Sequence, residues 1–275
     1  MKNLIKQNRK YAVILIGILA VAIIPFTSNG QTPLSGEEIA RKTDERNDGA
    51  NVSRNLTMEL VDKRGKSRVR ETKAFRKYFG EERRTAIFYQ TPSNVKGTAF
   101  LVYDYPEAKV DDDQWLYLPA LRKTRRISAS NRGDYFLGTD FTYEDIKLES
   151  KLSVEDYTYK ILAKEIIDGY ECYVVEGLPV DSETAKELGY SKTKAWVDAQ
   201  NWMIRKGDFW DEAGNHLKTT LIKDIRLVQN VWTGHTLEVE NHKTGHKTKF
   251  TFSEVDYSTA IDDDFFTQNS LVRGL

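Results

Sequence analysis

Beyond residue 50 the hydrophobic positions of this chain recur at every second residue. Leu56, Met58 and Leu60 alternate with Thr57 and Glu59, and Tyr157, Tyr159, Ile161 and Ala163 alternate with Thr158, Lys160 and Leu162. Leu217, Thr219, Leu221, Ile225 and Leu227 share one parity, broken by Lys223. A period of two predicts half-buried β-strands. Asp168-Gly169 predicts a type I′ hairpin, whose central residues both need positive φ, and Arg64-Gly65, Ala213-Gly214-Asn215 and Thr244-Gly245 predict further turns. Helical signals are few. Ser35-Gly36-Glu37-Glu38 is a capping box that opens an amphipathic helix to about Asn47, closed by Asp48-Gly49. Asp181 to Leu188 and Phe141 to Leu148 predict two more short helices. There is no βαβ alternation, no Gly-rich phosphate loop and no fixed-period repeat. The expected architecture is mainly β with a few helices: one meandering antiparallel sheet of ten or more strands, in a single domain over residues 31–275.

Three segments break the alternation. Ala86-Ile87-Phe88-Tyr89, Ala99 to Tyr103 and Trp115-Leu116-Tyr117-Leu118 are apolar on both parities. An antiparallel sheet wetted on one side alternates cleanly, so these strands are expected to be covered on both faces. Helices on one side with an enclosed apolar cavity on the other meet that need, and so does a sandwich with no cavity.

The first thirty residues have a different logic. Lys2, Lys6, Arg9 and Lys10 precede an unbroken apolar run from Tyr11 to Ile24, and Ser28-Asn29-Gly30 offers small residues before Gln31. Basic, apolar and small-residue zones in that order predict a secretory signal, residues 1–30, cut after Gly30. As a helix the run would span about 21 Å, against a hydrocarbon core of about 30 Å, which disfavours an uncleaved anchor. Losing those four basic residues from 41 leaves 37 against 41 acidic, a net of −4.

Charge and cysteine content narrow the function classes. The whole chain balances 41 basic with 41 acidic residues, so no basic field exists to hold nucleic acid by counterion release. A single cysteine, Cys172, excludes an internal disulfide and a multi-thiolate zinc site; beside Tyr170, Val174 and Val175 it reads as a small buried hydrophobe. His216, His235, His242 and His246 all fall in the C-terminal third, and His242 and His246 flank one turn without a completing carboxylate or thiol. Asp111 to Asp113 and Asp262 to Asp264 lack the spacing of a calcium loop and read as acidic turns and a helix cap. No Gly-x-Ser-x-Gly elbow or defensible triad nominates a nucleophile, so no catalytic residue, metal or cofactor is expected. Arg122-Lys123-Thr124-Arg125-Arg126 is the strongest local charge cluster. It fits either a solvated edge strand or, through Arg122, Arg125 and Arg126, an anion contact at a cavity mouth.

Gly97-Thr98-Ala99-Phe100-Leu101-Val102-Tyr103, the run from Asp113 to Ile127 and the run from Arg132-Gly133-Asp134 to Ile146 together resemble the exported outer membrane lipoprotein-sorting proteins, relatives of the lipoprotein carrier LolA. The specific likeness covers about fifty residues. It implies a curved antiparallel sheet, an incomplete, half-open barrel with helices packed in its opening around an apolar pocket. It also implies a periplasmic, non-enzymatic carrier of a lipid, acyl chain or acylated protein, working with a membrane exporter of the resistance-nodulation-division type. A sensory module of the same fold, or an exported enzyme acting on lipid or glycan, are the rival readings. Trp115, Tyr117, Phe136 and Phe141 are the expected pocket lining, the last two because Gly138 between them permits a bend.

Overall fold

The computed structural model describes residues 33–106 and 110–275; the predicted export signal, residues 1–30, lies outside them. The first helix, α1 (Gly36–Asp44), begins as its capping box dictates. Ser35 Oγ accepts the Glu38 N–H at 3.1 Å, and the Glu38 carboxylate accepts the Ser35 N–H at 2.6 Å. It stops short of Asn47, whose Oδ1 instead accepts the Gly49 N–H and turns the chain.

Six strands follow: β1 (Asn51–Val61), β2 (Ser67–Phe79), β3 (Glu82–Thr91), β4 (Ala99–Asp104), β5 (Asp113–Leu118) and β6 (Lys123–Ile127). A connecting segment carries α2 (Tyr143–Leu148), capped by Thr142 and Asp145, and leads to β7 (Tyr157–Ile167) and β8 (Tyr170–Pro179). Asp181 caps α3 (Ser182–Leu188), after which come β9 (Lys192–Asp198), β10 (Ile204–Trp210), β11 (His216–Val228), β12 (Val231–Asn241), β13 (Lys247–Asp256) and α4 (Gln268–Arg273). The predicted turns are where expected: Asp168 and Gly169 take φ of 50° and 86°, and Gly65, Gly214 and Gly245 all have positive φ.

All thirteen strands form one curved, open antiparallel sheet in the order β6-β5-β4-β3-β2-β1-β13-β12-β11-β10-β9-β8-β7. Sequence neighbours pair within β1–β6 and within β7–β13, and the one long-range pairing, β13 with β1, joins these two meanders. The edges are therefore β6 and β7, and residues 128–156 must travel from one to the other. They do so across the inner face, where Phe136, Phe141, Tyr143 and Ile146 pack on Leu56, Met58, Ile87, Phe100 and Phe250. Beside them α1 and α3 supply Ile39, Ala40 and Leu188 to a second inner cluster with Tyr157, Tyr159, Val175 and Ile222.

The strands apolar on both parities have two polypeptide covers. Ile87, Tyr89 and Phe100 face the inner segment, while Ala86, Phe88, Leu101 and Trp115 face outward under Ile261, Phe266 and Leu271 from the C-terminal turn and α4. Phe75 stacks on Phe265 with centroids 4.7 Å apart. No second sheet is present among the described residues, so the sandwich alternative gives way to one sheet wrapped inside and out.

One strand departs from its predicted parity. In β11 Leu217 is buried as expected, but beyond it Ile222, not Leu221, joins the core, in the parity of fully buried Lys218. Asp224, with φ of 51°, then breaks the alternation within an unbroken register on β12, so that Ile225 also packs against the inner cluster and Leu227 is left 54% exposed.

Candidate ligand-binding site

The space between α2 and the inner face is not completely filled. One cavity of about 100 Å³ lies among Leu148, Leu152, Tyr157, Leu188, Tyr190 and Ile204. A second, of about 80 Å³, lies among Leu56, Ile87, Ile146, Phe250 and Phe252. Phe141, Asp145, Ser150, Ile222 and Leu237 line both, so the cavities are two lobes separated by a pillar. Glu149 and Ser150, with φ of 48° and 67°, turn the chain sharply there at the end of α2.

The pillar is held electrostatically. Lys218 Nζ donates to Asp145 Oδ2 at 2.5 Å and to the Asp140 carbonyl at 3.2 Å, with the Tyr190 and Phe209 rings about 5 Å away. Asp145 also accepts the Thr142 N–H at 2.7 Å, so one carboxylate both caps α2 and ties it to β11.

Above the first lobe opens a charged cleft of about 1030 Å³, lined by Arg41, Asp44, Asp48, Arg83, Lys147 and Lys151 among others. Leu148, Lys151 and Ser153 belong to the walls of both cleft and lobe. Beneath it an ion network joins α2 to β1, β2 and the turns before β1 and β5; its Asp48, Asp112, Lys147 and Lys151 line the cleft, while its Arg54, Arg76 and Glu149 line the second lobe. Arg76, fully buried, contacts Asp48 and Glu149 at 3.3 Å each; Arg54 reaches Glu149 at 2.5 Å; Lys147 meets Asp112 at 2.6 Å and Glu144 at 2.9 Å; and Lys151 meets Asp48 at 3.3 Å. Arg132 joins Asp156 at 2.8 Å and Glu187 at 3.2 Å.

These carboxyls divide by environment. Burial pushes Asp48 up, but Arg76, Lys151 and Arg83 outweigh it and hold the group below its ordinary value. Glu149 follows the same pattern, with Arg54, Arg76 and Arg83 overcoming desolvation. At Glu144 burial prevails over Lys147 and Arg132, and the carboxyl is raised. Asp44 is raised too, by burial first, with Lys151 opposing.

The residues predicted from sequence fall in three places. Phe141 lines both lobes and rests on Phe250, centroids 4.5 Å apart. Phe136 is nearby but fully enclosed, packed edge-on against Phe100 and Tyr143. Trp115 and Tyr117 lie across the sheet from both, in the outer layer under the C-terminal segment, because their shared parity on β5 is that of Leu101 and Ala99. Arg122, Arg125 and Arg126 are exposed on or beside edge strand β6 and line neither lobe nor cleft, Arg126 pairing with Asp113.

The histidines pair differently from their spacing. His242 packs at a tilt against His216, ring centroids 4.5 Å apart, and Thr219 Oγ1 lies within hydrogen-bond distance of both rings. Among the described residues no group of three His, Cys, Asp or Glu is placed to hold a metal ion. Sequence reasoning missed the buried cations Arg76, Arg83, Lys147 and Lys218. The available signal was a basic residue at an inward parity position, as Lys218 is four before Ile222 on β11.

Comparison with known proteins fits this geometry. A family model described as "Uncharacterized protein" matches residues 81–273. An outer membrane lipoprotein-sorting protein domain from Vibrio parahaemolyticus is 31% identical, with a TM-score of 0.78, covering 86% of this chain and 98% of its own. The chain belongs to the outer membrane lipoprotein-sorting protein family. A DUF1329 family protein from Desulfovibrio piger is similar at 28% identity and a TM-score of 0.78, covering 86% of this chain and 97% of its own. A LolA superfamily protein from Nitrosomonas europaea, at 20% identity and a TM-score of 0.64 over 86% of this chain and 99% of its own, shares the fold. No curated protein matches the chain. The half-open sheet with helices in its opening is thus the fold this chain shares with those structures.

Proposed function

We propose that the protein is a non-enzymatic periplasmic carrier for an amphiphile: a lipid, an acyl chain or an acylated protein. The carrying observation is the shared wall of Leu148, Lys151 and Ser153, which puts a largely apolar lobe directly beneath a charged cleft. An acyl chain in the lobes with its polar group in the cleft satisfies both surfaces. Membership in the lipoprotein-sorting family supports the same reading. Among the described residues no helix is long and apolar enough to cross a membrane. Cargo exchange at a membrane, with an exporter of the resistance-nodulation-division type as partner, is the transport setting we propose.

Size decides how the cargo enters. Each lobe, at about 100 and 80 Å³, is smaller than the roughly 150 Å³ cavity that takes up benzene. A long chain must therefore displace the pillar. Burying ten methylenes gains about 8 kcal/mol, against about 3–5 kcal/mol for separating a buried ion pair such as Lys218–Asp145. Opening is affordable for a long chain and not for a short one.

Titration with a fluorescent long-chain fatty acid tests the proposal. Leu237→Trp fills both lobes at a half-buried position, and should cut affinity at least tenfold in a folded protein. Saturable binding that ignores Leu237→Trp, or no binding to the unaltered protein, contradicts it.

A further inference from the structure

The two sheet edges are finished in opposite ways. Strand β6 is short and carries Lys123, Arg125 and Arg126, exposed charges that resist pairing with another strand. The first half of β7 is covered by α1. Glu37 Oε1 accepts the outward Tyr159 N–H at 3.3 Å, and Gly36 lies so close that a Cβ there would sit 2.5 Å from the Tyr159 carbonyl.

The second half of β7 has no such cover. A bulge between Ile161 and Ala163 shifts the register, so that Ala163, Glu165 and Ile167 face β8 through their backbones, opposite Val174, Cys172 and Tyr170. Lys164 and Ile166 therefore turn their N–H and C=O groups outward, and neither group takes part in any loop, cap or side-chain bond to the backbone among the described residues. Leu162 and Ile166 are 41% and 66% exposed on this open edge. Strand β7 carries no Pro and no run of like charge.

We infer that this open half of β7 pairs with the same strand of a second copy, in an antiparallel dimer with Ile166 on the two-fold axis. Charge selects both the occupant and the register. A two-fold axis normal to the sheet keeps inner faces on one side, so the two outward residues must meet residues of equal parity. Centring on Lys164 sets Lys164 against Lys164 of the second copy. Centring on Glu165 sets two glutamates opposite each other. Like charges directly opposed destabilise a strand pair. Centring on Ala163 drives Lys160 of one copy, beneath α1, against Ile166 of the other. Centring on Ile166 alone removes every conflict: the exposed isoleucines meet, and Lys164 of each copy faces Asp168 of the other. Lys164 already holds Glu171 at 2.8 Å in an exposed pair within its own hairpin, and Asp168 can approach it from the free side. The contact is short, so the dimer forms and dissociates readily.

Cysteine trapping tests this. Residues directly opposed in a hydrogen-bonded antiparallel pair have Cα atoms about 5.5 Å apart, within the range a disulfide spans. Ile166→Cys in the mature protein should oxidise to a covalent dimer, at least tenfold faster than Glu165→Cys or Lys164→Cys. The native Cys172 is fully buried and does not compete. Adding Lys164→Glu, which sets Glu against Asp168, should slow trapping of Ile166→Cys at least tenfold. Sedimentation of the unaltered protein should show a concentration-dependent dimer that Lys164→Glu abolishes. Failure of Ile166→Cys to cross-link, equal rates at all three positions, or a strict monomer at high concentration would overturn the inference.

Discussion

Lys218 is the residue on which the interior depends, since its ammonium group bridges β11 to the cap of α2 inside the protein. Lys218→Met removes one partner of a buried pair and should cost about 3–5 kcal/mol. Adding Asp145→Asn should recover part of that loss in denaturant melts, whereas additive costs would mean the pair is not coupled. The aromatic residues separate by position. Phe136→Ala should cost about 3–5 kcal/mol and leave fatty-acid binding per folded molecule unchanged, because the ring is fully enclosed. Trp115→Ala should also spare binding, since it empties the outer layer. Phe141→Ala merges the two lobes and should change ligand affinity or chain-length preference at a smaller cost in stability. Equal binding by all three variants would remove Phe141 from the site. Sequence could name these aromatics but not sort them. Trp115 and Tyr117 share a parity that fits either face, and only the C-terminal segment, far away along the chain, decides which face it covers. Lys218 was invisible for the opposite reason: its partner is a helix cap 73 positions earlier.

Helix α2 is short, and its place depends on charge more than on length. Asp48 and Glu149, both below their ordinary carboxyl values, contribute stability that is present above the unfolded carboxyl pKa of about 4 and is lost as pH falls through their folded values. Glu144 and Asp44, both raised, act with the opposite sign: their protonation on acidification relieves a burial cost. The denaturant midpoint should therefore hold or rise slightly from about pH 7 to about pH 5 and fall by about pH 3. Asp48→Asn combined with Glu149→Gln should flatten the acid limb, and an unchanged limb would place the acid sensitivity elsewhere. At the edge, Arg122, Arg125 and Arg126 changed together to Gln should alter melting little, about 0–1 kcal/mol per exposed pair, as melts would show. The elements themselves were largely legible. The capping box at Ser35, the Asp181 start of α3 and the Asp168-Gly169 turn are local signals, and each is where its residues predict. Strand β11 was misread because the positive φ at Asp224 breaks its alternation and the burial of Lys218 depends on distant Asp145, neither of which a local window contains.

The described residues form a single sheet whose two edges are bridged from inside, and that bridge borders the two lobes and the charged cleft. Period-two patterning and the absence of βαβ units were enough to expect one long antiparallel meander. The resemblance through Gly97 to Ile146 pointed to its curvature. The cleft was not legible, because its charges come from α1, β3, β4, α2, α3 and the turns between them, and read separately each looks like an ordinary solvated residue. The central claim is that cavity and cleft together hold one amphiphile. Mass spectrometry of an organic extract from protein purified out of the exported fraction tests it most directly, with Leu237→Trp prepared in parallel. The account predicts a near-stoichiometric long-chain amphiphile from the unaltered protein and its loss from Leu237→Trp. An extract free of lipid, or an equal yield from both proteins, would contradict it.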